Sequence, residues 1–278
     1  MYNYYEPFLL DRYAGQLESV YGRPPCVELG DSLAGRSQAV LTSSLDGPTP
    51  RCATPWHGRR LEAATDDHPF PYLPTRSIPR FYLDWLLFIV VVSALVVRGA
   101  AGSFRPMARY LDLACMGGAF LLLETKNVVQ FALLFGTTWF VNSLVFAGVL
   151  LSVYAAVEVA RRVRLPRPLP LYLALLVALA AAWLVPQHTL LELSPAPRFL
   201  AAVALAFAPI FLANLVFAQR FRSVGSSTTA FGANLLGAML GGVLEYLALV
   251  TGYRFLLIVV GALYALAFLL GRRALRTA

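Results

Sequence analysis

Beyond residue 80 the chain alternates long apolar runs with short polar breaks, whereas residues 1–79 place apolar side chains only in brief groups. The long runs cover 81–97, 110–135, 139–160, 171–185, 199–218, 228–250 and 255–270. A helix that crosses the hydrocarbon core needs about 20 mainly apolar residues, so the pattern predicts about six to seven spans. The run 81–97 is short and carries Asp84; it crosses, lies in the interface or forms a re-entrant hairpin. Ahead of the spans, Tyr4, Tyr5, Phe8, Leu9, Tyr13, Leu17, Val20 and Tyr21 recur at steps of three and four, which predicts an amphipathic helix over 1–22. Gly22, Pro24 and Pro25 end it. VEL at 27–29 and QAVLTSS at 38–44 then read as two short strands separated by the turn-prone GDSLAGRS, and 46–79 is rich in Pro, Gly, Asp and Arg without periodicity. The expected architecture is an all-α polytopic membrane protein over 80–278 with a small mixed α/β segment over 1–79.

Composition supports the membrane reading. At 58% hydrophobic, 14% charged and a mean hydropathy of +0.64, the chain departs from soluble domains, which run at about 45–50% apolar and about 25% charged. Residues 1–80 hold 8 basic and 9 acidic side chains, leaving 15 and 6 for the remainder, so the excess of +8 belongs to the apolar part. That placement argues against a nucleic-acid partner despite a pI near 9.7. Arginines between spans mark topology, because cationic loops stay cytoplasmic. The groups Arg161, Arg162, Arg164 and Arg167, then Arg220 and Arg222, then Arg272, Arg273 and Arg276 alternate with nearly neutral connections. The C-terminus is therefore expected in the cytoplasm, on the same side as Arg98, Arg105 and Arg109. The side of the polar segment follows from whether 81–97 crosses. The start of the chain lacks a basic region followed by an uninterrupted apolar stretch, so it does not read as a signal peptide.

Chemistry-bearing residues are few. Glu124 and Lys126 fall about 21–24 Å along a helix from Tyr110, where an ionised side chain costs at least about 2.5 kcal/mol unless it faces a partner or a wet cavity. Lys126 is the single lysine of the chain. With Asn127, Gln130 and Asn142 these form the candidate intramembrane polar site; the competing reading is polar helix packing, which also suits Asn234, while Glu245, near the outer end of its span, reads as interfacial. Glu158 is placed to pair with Arg161 and Arg162 at the membrane edge. Ala233, Gly237 and Gly241, spaced by four, predict a helix face that lets another backbone approach closely. Cys26, Cys52 and Cys115 show no CxxC pair and no histidine at ligand spacing, so they read as structural thiols, with neither a zinc site nor a disulfide framework. Asp66, Asp67 and His68 sit in a proline-bounded turn and carry no second ligand cluster. No P-loop, GxGxxG, HExxH or GxSxG occurs. The expectation is no catalytic, cofactor-binding or metal-binding residue and no cofactor in this chain.

The stretch TDDHPFPYLPTRSIPRFYL, then MGGAFLLLETKNVVQFALLFGTTWFVN, then ANLLGAMLGGVLEYLALVTGYRFLLIV resembles the C-terminal portion of bacterial membrane-embedded proteins similar to spermidine synthase. In that family an aminopropyltransferase-like Rossmann domain is joined to helices of major-facilitator-like arrangement. The resemblance implies that 1–79 is the end of a Rossmann-like domain and that the helices are a transporter-like module of a bacterial inner membrane. Its implied partners are the lipid bilayer, a Rossmann domain encoded upstream and a cationic small molecule such as a polyamine. The alternatives are the membrane anchor of an aminopropyltransferase- or methyltransferase-like enzyme, and a scaffold subunit. The family's Gly-rich cofactor turn and acidic catalytic loop have no counterpart here, so no catalytic residue carries over and the chain is expected to be a fragment.

Overall fold

A computed structural model describes residues 2–4, 7–31, 37–45, 52, 54–163 and 168–276. The chain divides into two units, Met1–Ser77 and Ile78–Ala278.

In the first unit, β1 (Tyr2–Tyr4) precedes α1 (Pro7–Tyr21), β2 (Cys26–Leu29) and β3 (Ser37–Thr42). The predicted helix over 1–22 thus starts only at Pro7. Proline suits the first helical position and disfavours helix in the residue before it, and Tyr2–Tyr4 pair instead with β3. The sheet has the order β1-β3-β2 and both pairings are antiparallel, with Val27 opposite Leu41. A Rossmann half requires parallel strands joined by helical crossovers. No such unit occurs among the described residues, so a Rossmann origin finds no support in this sheet.

Side chains replace much of an apolar core here. Ala14, Val27 and Trp56 pack together, and Trp56 Nε1 donates to Asp11 Oδ1 at 2.9 Å. The buried Arg12 of α1 donates through Nη1 to the carbonyls of Pro71 and Leu73, each at 2.6 Å. That cation ties the otherwise aperiodic segment after residue 60 to the helix. Cys26 and Cys52 form a disulfide, against the expectation of isolated thiols; Cys115 is free. The reason is a chain reversal that spacing conceals. Residues 54–56 run beside β2, with Val27 N donating to Thr54 O and Trp56 N to Pro25 O, which brings the two cysteines together.

The second unit contains α2 (Arg80–Ala101), α3 (Phe104–Met107), α4 (Leu111–Phe135), α5 (Trp139–Arg162), α6 (Leu169–Leu184), α7 (Gln187–Leu191), α8 (Pro195–Phe221), α9 (Ser227–Leu244), α10 (Ala248–Thr251) and α11 (Tyr253–Arg276). Six helical segments among the described residues are long and apolar enough to cross a membrane. One is Arg80–Ala101, so the run 81–97 lies within a continuous 22-residue helix. Its apolar residues continue past Arg98 through Ala101, and Asp84 lies one turn from its start, where a charge can reach the interface. The short member is α6, whose 16 residues rise about 24 Å.

Helix α4 is the hub. It packs against α5, α8, α9 and α11, whereas α2 lies chiefly on α9; 50% of the apolar window of Phe104–Phe135 is buried against 11% of that of Arg80–Ala101. The α4–α9 contact depends on glycine. A Cβ at Gly237 would stand 1.8 Å from Ala114 O, and one at Gly241 would stand 2.5 Å from Gly118 O. Ala233, one turn earlier, is buried with Val97 and Met107.

Candidate functional site

Two polar clusters are built on α4, and both face protein. The first lies in its C-terminal half, where Lys126, Asn127 and Gln130 are 7%, 1% and 4% exposed. Positions four apart stack on one helix face, and Lys126 Nζ donates to Gln130 Oε1. Asn127, one step round, donates through Nδ2 to Ala206 O of α8 at 3.2 Å, while no hydrogen bond among the described residues reaches its Oδ1. α11 carries Arg254 in its first turn. Arg254 is itself held against α6, donating through Nη2 to Trp183 O at 2.7 Å with its guanidinium 5.6 Å from the Trp183 ring centre. Among the described residues no carboxylate forms an ion pair with Lys126.

The other residues expected at this site are placed differently. Glu124, two positions before Lys126, turns to another face and is half-buried. Asn142 is exposed on α5, one turn after its cap at Thr138, so the structure does not bring it into the interior. Glu245 is part-buried in the helical turn that follows α9, and Asn234 donates through Nδ2 to Leu113 O at 3.0 Å, a packing contact between α9 and α4. Glu158 is shared by Arg161 and Arg162.

The second cluster was not anticipated. Asp112, in the first turn of α4, accepts from Arg220 Nε at 2.5 Å, with Arg220 Nη2 at 3.5 Å from the other carboxylate oxygen. Both side chains are almost wholly buried. Arg220 Nη1 also donates to Ser223 Oγ at 3.0 Å, and its guanidinium lies 5.9 Å from the Tyr110 ring centre. Gly271 of α11 passes so near that a Cβ there would stand 2.9 Å from Asp112 Oδ2. Arg220 is therefore a tie between α8 and α4, with the end of α11 passing beside its partner Asp112, in addition to being one of the basic residues that alternate along the chain. Along α4, Asp112 lies fourteen residues before Lys126, about 21 Å.

Of the remaining expectations, Arg164 and Arg167 lie outside the described residues, as do the side chains of Arg272, Arg273 and Arg276. Asp66, Asp67 and His68 stay in a turn closed by His68 N donating to Thr65 O. Among the described residues no three His, Cys, Asp or Glu side chains converge as a metal site.

No family model, curated protein or solved structure matches the chain.

Proposed function

We propose that this protein is a transporter-like membrane module that binds a small anionic solute, with Lys126 as the charge that recognises it. The observation that carries this reading is a buried lysine inside a lipid-embedded helix bundle, without a carboxylate partner among the described residues. A cation so placed is stabilised by an anion. Gln130, whose Oε1 accepts from Lys126, has amide N–H donors that orient an oxyanion. A cationic solute, the expectation that came with the spermidine synthase-like resemblance, would meet repulsion from Lys126 and find Glu124 only half-buried on another face.

The same reading takes the protein to a bacterial inner membrane with its C-terminus cytoplasmic. Seven crossings, α6 included, then leave Met1–Ser77 outside. Two independent features support that assignment: the alternation of arginines from loop to loop, and the Cys26–Cys52 disulfide, since such bonds persist in oxidising compartments.

The test is flux into proteoliposomes containing the full chain, with phosphate, sulfate and short carboxylates as probes and spermidine as the cationic control. Uptake of at least one anion, lost in Lys126→Gln and retained in Glu124→Gln, is the expected result. Spermidine uptake that depends on Glu124, or anion flux no greater than in empty vesicles, overturns the proposal.

A further inference from the structure

The helices α5 and α8 run side by side, and near their C-terminal ends a cleft of about 500 Å³ opens between them. This volume lies within the range of about 300–1,000 Å³ typical of small-ligand sites. Its walls are Val153, Val157, Phe217 and Phe221, and its mouth carries Arg161 and Arg222. The polar lining at depth is Asn214, whose Nδ2 is already donated to Ile210 O at 2.8 Å within α8.

The charges at the mouth are unbalanced. Glu158 is the carboxylate there, and it serves both Arg161 and Arg162. Arg222 sits across the cleft, anchored by one bond from Nη1 to the Ala160 carbonyl. An arginine has five N–H donors, so this anchorage fixes the guanidinium while leaving most of its donors for an anion. Two arginines share one carboxylate and Arg222 pairs with none among the described residues, which leaves a positive rim above an apolar slot, at the end of two spans where lipid headgroups lie.

We propose that this cleft binds one anionic phospholipid, its phosphate between Arg161 and Arg222 and an acyl chain against Val153, Val157, Phe217 and Phe221. Basic pockets between spans at the membrane edge select acidic headgroups in this way, and the bidentate geometry of guanidinium suits a phosphodiester. A zwitterionic lipid fills the same slot but brings its own cation to the arginines, so the site discriminates by headgroup charge. The proposal is independent of what Lys126 binds.

The experiment is native mass spectrometry of the full chain in detergent, titrated with phosphatidylglycerol or phosphatidylcholine of identical acyl chains. The expected result is preferential retention of phosphatidylglycerol. Each arginine near the surface contributes roughly fivefold, so R161Q/R222Q binds about 25-fold more weakly, while R222K keeps the preference. Val157→Trp, at a position already half-exposed to lipid, fills the slot with both arginines in place and also lowers binding. Equal retention of the two lipids, unchanged phosphatidylglycerol binding in R161Q/R222Q, or no effect of Val157→Trp in a protein that melts like wild type overturns the proposal.

Discussion

Asp112 and Arg220, 108 residues apart in the chain, form an ion pair with side chains 3% and 4% exposed inside an apolar helix bundle. The pair joins the first turn of α4 to the last turn of α8. Removing one member leaves an uncompensated charge in a medium of low dielectric, which costs about 3–5 kcal/mol, whereas replacing both by apolar residues of similar volume is often close to neutral.

Asp112→Asn and Arg220→Gln are therefore each expected to lower stability by several kcal/mol, and Asp112→Leu combined with Arg220→Met by much less. Thermal melting in detergent of the two single variants and the double replacement measures this coupling. Additive losses would show that the two groups act separately.

The same pair shows where the chain is legible and where it is not. Ala206, Pro209, Ile210, Ala213 and Val216 are buried at steps of three and four, and Arg220 is the next position on that face. Arg222 is off the face and exposed. The phase of α8 thus distinguishes the two arginines, although as a pair they read equally well as orientation marks. That Arg220 meets Asp112 is a long-range fact that periodicity does not carry. Spans, by contrast, are local: about 20 apolar residues suffice, so the runs map onto helices within a few residues, apart from the continuation of α2. The clustering of Lys126, Asn127 and Gln130 follows from steps of one, three and four on one helix, but the exposure of Asn142 depends on how α5 is rotated against α8. The disulfide and β1 escaped for the same reason, since both depend on segments that return from far along the chain.

The contact of α9 with α4 predicts a graded response to added methyl groups. Gly237→Ala and Gly241→Ala each force a carbon into the backbone of α4, where Ala114 O and Gly118 O stand at 1.8 and 2.5 Å. Such overpacking costs typically about 1–3 kcal/mol or more. Gly99→Ala, with nothing within 4 Å of the new carbon, is expected to be neutral or stabilising by up to about 1 kcal/mol through helix propensity. Melting temperatures of the three variants check the order. A Gly237→Ala protein as stable as wild type would mean that the two helices are farther apart than described.

The disulfide predicts both a stability change and a compartment. Cys26 and Cys52 are separated by 26 positions in the sequence, so replacing both by Ser lowers the stability of the first unit by roughly 3–4 kcal/mol, seen as faster proteolysis within residues 1–77. In intact cells treated with a reductant, a membrane-impermeant maleimide is expected to label wild type and to leave the C26S/C52S variant unlabelled. Labelling that requires permeabilised cells would place this unit in the cytoplasm and remove the seven-crossing assignment.

Lys126 separates stability from function. A buried ammonium group without a carboxylate partner among the described residues lowers stability, because its transfer from water costs more than one amide contact with Gln130 returns. Lys126→Met keeps the length and apolar stem of the side chain and removes the charge. It is expected to raise the melting temperature, by an amount equivalent to about 1–3 kcal/mol, while abolishing the anion flux that the lysine supports. Lys126→Arg keeps the charge but enlarges a closely packed side chain, so it is expected to lower stability and retain part of the flux. A Lys126→Met protein that melts lower than wild type would show instead that the ammonium group is a well-satisfied packing contact, and the anion site would lose its physical basis.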